Sequence, residues 1–271
     1  MFRNDLFCAK SGYIVEDKLT LIRVTPDNVD KSGVFCIKNP KSPGYQAKKN
    51  WFVQQYQDGL RIILAKDENG SQLGFIEYVP AEFAWRPVKA PGYVFIQCIM
   101  VPSRKGHRPG IGKRLLSACE SDAREQGFHG IVVMTSKGAW MATEQLFGKA
   151  GYSECDRHGR FNLMVKRFTD IEAPARLIRW DERTQTYDGW NLIFAHQCPW
   201  HQKAVDAMTK VASAYGIELK VNCLETARDA QNSPSGFGVF SLVRDGRLLE
   251  DHYLSETRFR TIVEKELSLN P

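Results

Sequence analysis

Apolar positions follow two periods along the chain. Leu60-Arg61-Ile62-Ile63-Leu64-Ala65 and Gln72-Leu73-Gly74-Phe75-Ile76-Glu77-Tyr78-Val79 are strand-like runs flanking the turn residues Asp67-Glu68-Asn69-Gly70, which predicts an antiparallel pair. Tyr93 to Val101 is a β-branched and aromatic run of the buried-strand type. The period then lengthens: Ile111, Leu115, Cys119 and Ala123 recur every four residues with Leu116 on the same flank, predicting a helix that stops at Gln126-Gly127. A strand at Gly130–Met134, a helix over about 139–149 closed by Ala150-Gly151, and a strand at Phe161–Val165 follow. Before residue 60 the pattern is irregular, with two helices around a turn-rich segment from Lys38 to Gly44.

Residues 169–189 are polar, contain Pro174 and read as a connection. Beyond them the pattern restarts. Leu192-Ile193-Phe194-Ala195 predicts a strand, Cys198-Pro199-Trp200-His201 a turn, and Val205, Met208, Ala212 and Tyr215 one face of a helix. Ile217–Val221 is a second strand. Gly238–Val243 and Leu248–Tyr253 form a hairpin about Asp245-Gly246, and a helix from Thr257 to about Leu267 ends the chain. The expected organisation is α/β (α+β): a first domain over residues 1–170, a linker over 171–188 and a smaller α/β domain over 189–271.

Composition changes this picture little. The chain has 271 residues, 43% of them hydrophobic and 25% charged, which suits packed globular domains. No apolar run reaches membrane-helix length and Met1–Lys10 has no apolar signal region, so a cytoplasmic protein without membrane association is expected. Seven cysteines, at 8, 36, 98, 119, 155, 198 and 223, form no regular framework, which points to free thiols and no metal site. The net charge of +6 is uneven: residues 1–172 carry 25 Lys/Arg against 18 Asp/Glu, and residues 173–271 carry 12 against 13. A basic first part suits an anionic small ligand. No dense Lys/Arg stripe interleaved with aromatics supports nucleic acid, and a homodimer is compatible with the sequence.

The strongest chemical signal is Val101-Pro102-Ser103-Arg104-Lys105-Gly106-His107-Arg108-Pro109-Gly110-Ile111-Gly112-Lys113. A strand feeds a basic, glycine-containing loop that opens a helix. Unpaired N–H groups at a helix N-terminus carry partial positive charge and cradle phosphate. A tight strand-to-helix turn would use the same glycines; the basic flank favours the cradle. His107, Arg108, Pro109, Gly110, Ile111, Gly112 and Lys113 are therefore candidate ligand-binding residues.

This segment resembles the pyrophosphate signature of the GNAT superfamily of N-acetyltransferases. Gly110 and Gly112 match, His107 stands where Gln or Arg is usual, and the loop is one residue longer. Leu146–Tyr152 is similar to the family's late helix and the Gly-aromatic pair beyond it. More narrowly, the chain resembles acetyltransferases with a YoaP-like C-terminal domain, through Lys41–Tyr45, Pro80–Arg86, Ile96–Ile99 and Ser233–Phe240. The resemblance implies a GNAT-type mixed central sheet with flanking helices, acetyl-CoA as co-substrate, a small-molecule amine acceptor, and pantetheine binding near Ile99 and Val101. An ammonium has no lone pair, so the reaction needs a base. Glu82, just past the strand 72–79, is the first choice and Glu77, on it, the second. The usual Tyr acid position falls on Phe147, leaving Tyr152 or solvent. Trp85, Arg86, Gln97 and Trp140 are candidates for the acceptor's pocket, core packing being the equal alternative for the tryptophans. A covalent route through Cys98 is the lesser alternative.

In the second unit Cys198-Pro199-Trp200-His201 sits where thioredoxin-like folds carry their redox motif, and Pro234 resembles that fold's cis-proline. His201 replaces the second cysteine, so no dithiol cycle can run there. A modulating or substrate-shaping unit is expected, with a Cys198 thiol made acidic by the helix N-terminus. The rival functions are a thiol-handling or redox-sensing protein using Cys198, and a silent acyl-CoA-binding module.

Overall fold

The computed structural model describes residues 19–34, 36–102, 110–171 and 173–268. Thr20–Val24 (β1) and the short helix Val29–Ser32 (α1) precede the helix Pro43–Gln55 (α2). The turn residues before α2 start it: Ser42 caps the helix, its hydroxyl accepting from the Tyr45 N–H at 3.3 Å, and Pro43 occupies the first turn, where no N–H is required. Arg61–Lys66 (β2), Gln72–Pro80 (β3), Val88–Lys89 (β4) and Tyr93–Met100 (β5) lead to the helix Ile111–Glu125 (α3). Gly130–Ser136 (β6), Glu144–Gly148 (α4), Ser153–His158 (β7), Phe161–Arg167 (β8) and Arg176–Leu177 (β9) complete the first part. Trp190–Phe194 (β10), Pro199–Ala214 (α5), Leu219–Cys223 (β11), Ala227–Gln231 (α6), Phe240–Arg244 (β12), Arg247–Glu250 (β13) and Glu256–Glu266 (α7) make the second.

The first part is a seven-stranded mixed sheet in the order β1-β2-β3-β5-β6-β8-β7, in which β5 and β6 are parallel and the other neighbours antiparallel. The second is a four-stranded sheet, β11-β10-β12-β13, with β10 parallel to β11 and antiparallel to β12. Asp245 and Gly246 turn the β12–β13 hairpin with φ of 46° and 74°, as a turn matched to strand twist requires. Among the described residues no helix is long and apolar enough to cross a membrane.

The structure adds detail to the sequence reading at three places. Helix 139–149 shrinks to Glu144–Gly148, because Trp140 takes φ of 63°. β1 and β7 are edge strands with exposed or half-exposed residues, so their apolar pattern is faint. The polar segment 169–189 does not run free: β9 pairs with β4, and Trp180 packs edge-on against Phe161 at 5.5 Å.

Alternation within the strands separates two apolar clusters. Ile76, Tyr78, Val94, Ile96 and Ile131 face α3, whose Ile111, Leu115, Cys119 and Ala123 form the buried stripe. Leu64, Phe75, Val79, Phe95 and Val132 face the other way, toward Trp51 and Phe52 of α2. That second cluster runs without a break into Trp190, Leu192, Phe194, Met208 and Phe240 of the four-stranded unit. The two sheets thus share one core.

The parts approach closely at Gly44 on α2, where an added Cβ would lie 2.1 Å from the Pro199 carbonyl oxygen at the start of α5. Gly44→Val should therefore force the two helices apart and lower stability by about 1–3 kcal/mol, the usual range for overpacking. Urea unfolding measures it. An unchanged midpoint would show that α2 and α5 are not in this contact.

Candidate functional site

The site begins where two strands separate. Parallel pairing of β5 with β6 ends at Ile96 opposite Val133, yet β5 continues to Met100 and β6 to Ser136. Among the described residues, backbone groups from Gln97 to Met100 therefore have no strand partner on that side. Two cavities open around this splay, and Ile99 lines both.

The first, of about 640 Å³, lies at the N-terminus of α3. Ile99 and Val101 form its strand wall, Gly110, Gly112 and Lys113 its helix wall, and Lys149 and Lys166 its basic rim. Gly110 precedes the helix at φ of 88°, a left-handed conformation that glycine adopts without penalty. Among the described residues no side chain caps this helix, and uncapped N–H groups at a helix start suit an anion. Ile111, expected at the cradle, does not line this cavity; its side chain is buried in the core beneath the sheet. Lys166 is held by Glu120 at 2.8 Å. His107, Arg108 and Pro109 lie outside the described residues.

The second cavity, of about 300 Å³, lies between the two sheets. A bulge between Glu77 and Tyr78 sets Cys98 opposite Glu77 and leaves Gln97 as the extra residue of β5. Glu77 is fully buried and is the one acidic residue among the described residues lining this cavity. One carboxylate oxygen takes a short hydrogen bond from the Lys48 ammonium, and the other accepts from Gln197 Nε2 at 2.7 Å. Lys48 also stands 4.1 Å from the centre of the Trp51 ring. Arg86, Trp140, Trp200, His201, Phe237 and Tyr253 close the walls, so both parts of the chain build this space.

Several expected residues lie elsewhere. Glu82 is exposed on the 3-10 turn after β3; its carboxylate accepts from the Gly92 N–H at 2.9 Å and reaches neither cavity. Tyr152 is buried, because Gly151 at φ of 87° turns the chain back so that its ring packs on Phe147 at 5.4 Å; burial raises its hydroxyl pKa. Trp85 is a core residue stacked edge-on against Trp51 at 5.1 Å. Trp140, half exposed, does line the second cavity and rests on Tyr253 at 5.0 Å. Lys48 and Gln197 escaped sequence reading. The available signal for Lys48 was a charge on the stripe Tyr45, Lys48, Trp51, Phe52 and Gln55, the buried face of α2.

The thiols are not activated. Burial pushes Cys198 up to about 11, outweighing the N–H groups of Trp200 and His201 at the start of α5 and overturning the expected acidic thiol. Cys98 is pushed up to about 12 by burial and by the Glu77 and Cys198 charges, which disfavours an acyl-cysteine. No peptide bond among the described residues is cis, so Pro234 lacks the expected cis geometry. Among those residues no group of three or more His, Cys, Asp or Glu side chains is placed to hold a metal ion.

The glycine-bearing start of α3 and a cavity with one carboxylate among its described lining residues thus flank the same strand splay. Residues 34–152 match the model of the Acetyltransferase (GNAT) family. The uncharacterized N-acetyltransferase YoaP of Bacillus subtilis (strain 168) is 26% identical over 248 residues, covering 89% of this chain and 97% of the relative. Among solved structures, the GNAT family N-acetyltransferase YhbS of Escherichia coli in complex with CoA is 14% identical with a TM-score of 0.41, covering 59% of this chain and 90% of that one. A GNAT family acetyltransferase of Brucella melitensis in complex with acetyl-CoA is 16% identical with a TM-score of 0.36, covering 59% and 95%.

His201 gives the site a pH signature. Its Nδ1 lies 2.8 Å from the Ala195 carbonyl oxygen, so that nitrogen carries the proton in the neutral ring. Burial lowers its pKa from 6.5 to about 4. The unfolded chain thus takes up a proton before the folded chain does, and stability is lost as pH falls from about 6.5 to about 4, levelling below. Burial of His196 acts in the same direction. Urea unfolding across this window should show the fall, and His201→Gln should flatten much of it. An equally steep fall in the variant would show that His201 is not buried neutral.

Proposed function

We propose that the protein transfers an acetyl group from acetyl-CoA to a primary amine of a small acceptor held between the two sheets. The observation that carries this reading is the meeting of the two cavities at Ile99, one offering free helix N–H groups and the other a carboxylate. The free N–H groups of α3, the glycines at 110 and 112 and the ammonium of Lys113 fit a pyrophosphate. The β6-facing edge of β5 beyond Ile96, where the parallel pairing has ended, fits the amides of the pantetheine arm.

Glu77 is our general base in place of Glu82. The acceptor's ammonium gives its proton to the Glu77 carboxylate, which Lys48 and Gln197 hold in place, and the freed lone pair attacks the thioester carbonyl carbon. The C–S bond breaks and CoA leaves as thiolate; the nitrogen gives its second proton to water, and with Tyr152 folded into the core we assign the thiolate's protonation to solvent. Residues 189–271, beyond a linker at 171–188, serve in this reading as the unit that finishes the acceptor's pocket.

Two substitutions test it by different measurements. Gly110→Asp places a side chain and a negative charge at the cradle and should weaken CoA binding in calorimetry at least tenfold, about 1.4 kcal/mol. Unchanged affinity in a folded variant would sink the cradle assignment. Glu77→Gln should lower turnover of an accepted amine by about 10²–10⁴. Glu82→Gln should leave it near the parent's; the reverse pattern would return the base to Glu82.

A further inference from the structure

The transfer reading leaves Arg86 without a task, although its position is a costly one. It follows the 3-10 turn after β3, is 6% exposed, and lines the cavity between the sheets. Its Nη1 donates to the Phe237 carbonyl oxygen at 2.7 Å, and its guanidinium stands 4.6 Å from the centre of the Phe237 ring. Among the described residues no carboxylate forms an ion pair with it. Asp251 acts on it through space, but the Asp251 carboxylate is bonded to Arg160. Buried charges in proteins are normally paired, because removing an ion from water costs several kcal/mol. Burial accordingly lowers the Arg86 pKa to about 10.

Gln97 adds an independent observation on the same wall. It is 3% exposed, and its Oε1 accepts from the Trp85 N–H at 3.1 Å. Its Nε2 has no hydrogen-bond partner among the described residues. A buried donor left without an acceptor costs about 1–3 kcal/mol. The charges of the cavity do not balance either: Lys48 and Arg86 face a single carboxylate, Glu77, which Lys48 already engages. The rest of the wall is largely apolar and aromatic, with Phe75, Trp140, Trp200 and Tyr253.

We infer that the acceptor is an amino acid-like amine with an apolar body and a carboxylate, the carboxylate pairing with Arg86 beside the free amide of Gln97. The amine's place at Glu77 rests on the transfer reading; the carboxylate's place rests on Arg86 and Gln97. Planar guanidinium and carboxylate groups match in a two-point bond, so the missing counter-ion and the missing acceptor are supplied by one ligand group. Such a ligand fits a cavity of about 300 Å³.

The test is calorimetry on the full chain saturated with CoA, using L-phenylalanine, its amide and 2-phenylethylamine as probes. L-Phenylalanine should bind at least about tenfold more tightly than either probe lacking the carboxylate, a difference of about 1.4 kcal/mol. Arg86→Gln should bring the three affinities together, while Arg86→Lys should keep part of the preference. The comparison of probes on the parent chain stands even where a variant does not fold. Equal or reversed affinities, or no binding of L-phenylalanine at millimolar concentration, overturns the inference. CoA-thiol release with an uncharged-tail amine but not with L-phenylalanine overturns it too while leaving acetyl transfer intact. Preferential binding of L-phenylalanine without CoA-thiol release from acetyl-CoA supports the carboxylate site and sinks only the transfer reading.

Discussion

The architecture turns on a charge buried where two sheets meet. Glu77 sits in the middle of β3 with no exposure to solvent, and a lone carboxylate there would be untenable. It is held by groups from two other elements: the Lys48 ammonium from α2 and the Gln197 amide from the turn before α5. Lys48 is itself 2% exposed and lies over Trp51, so neither partner can turn to water instead. Breaking one side of such a pair typically costs about 3–5 kcal/mol, since the other charge stays buried. Docking of the four-stranded unit thereby completes the solvation of a residue in the seven-stranded sheet. The same docking roofs the space next to Glu77, so cavity and ion pair arise together.

This explains which parts of the molecule were legible in the sequence. Runs such as Leu60–Ala65 and Tyr93–Val101 and the four-residue recurrence Ile111, Leu115, Cys119 and Ala123 reflect contacts made within one layer, and periodicity records those directly. Gly110 and Gly112 were legible for the same reason, because the strand, turn and helix they join are contiguous in sequence. Local sequence does not separate Glu82 from Glu77, because burial at a sheet interface depends on a unit more than 100 residues away. Lys48 and Gln197 belong to such a long-range contact, and no local spacing announces it. Tyr152 was misplaced by a single backbone angle, the positive φ of Gly151, which swings the ring into the core.

The appended unit contributes surface and hydrogen bonds to the site, and its thiol contributes little reactivity. Cys36, Cys98 and Cys198 all line the cavity between the sheets, and burial raises the pKa of each. A thiol pKa several units above neutrality leaves a negligible fraction as thiolate, which is the nucleophilic and metal-binding form. The helix N-terminus beside Cys198 is a real stabilising influence, yet it is set against desolvation by the apolar walls, and desolvation is the larger effect. The same dry walls that quiet the thiols strengthen every remaining electrostatic contact in the cavity. There the Arg86 guanidinium, held away from water and from any carboxylate of the described chain, can distinguish an anionic from a neutral ligand far better than an exposed arginine could. Low polarity therefore suppresses one chemistry of the fused unit and sharpens the selectivity of the cavity it closes.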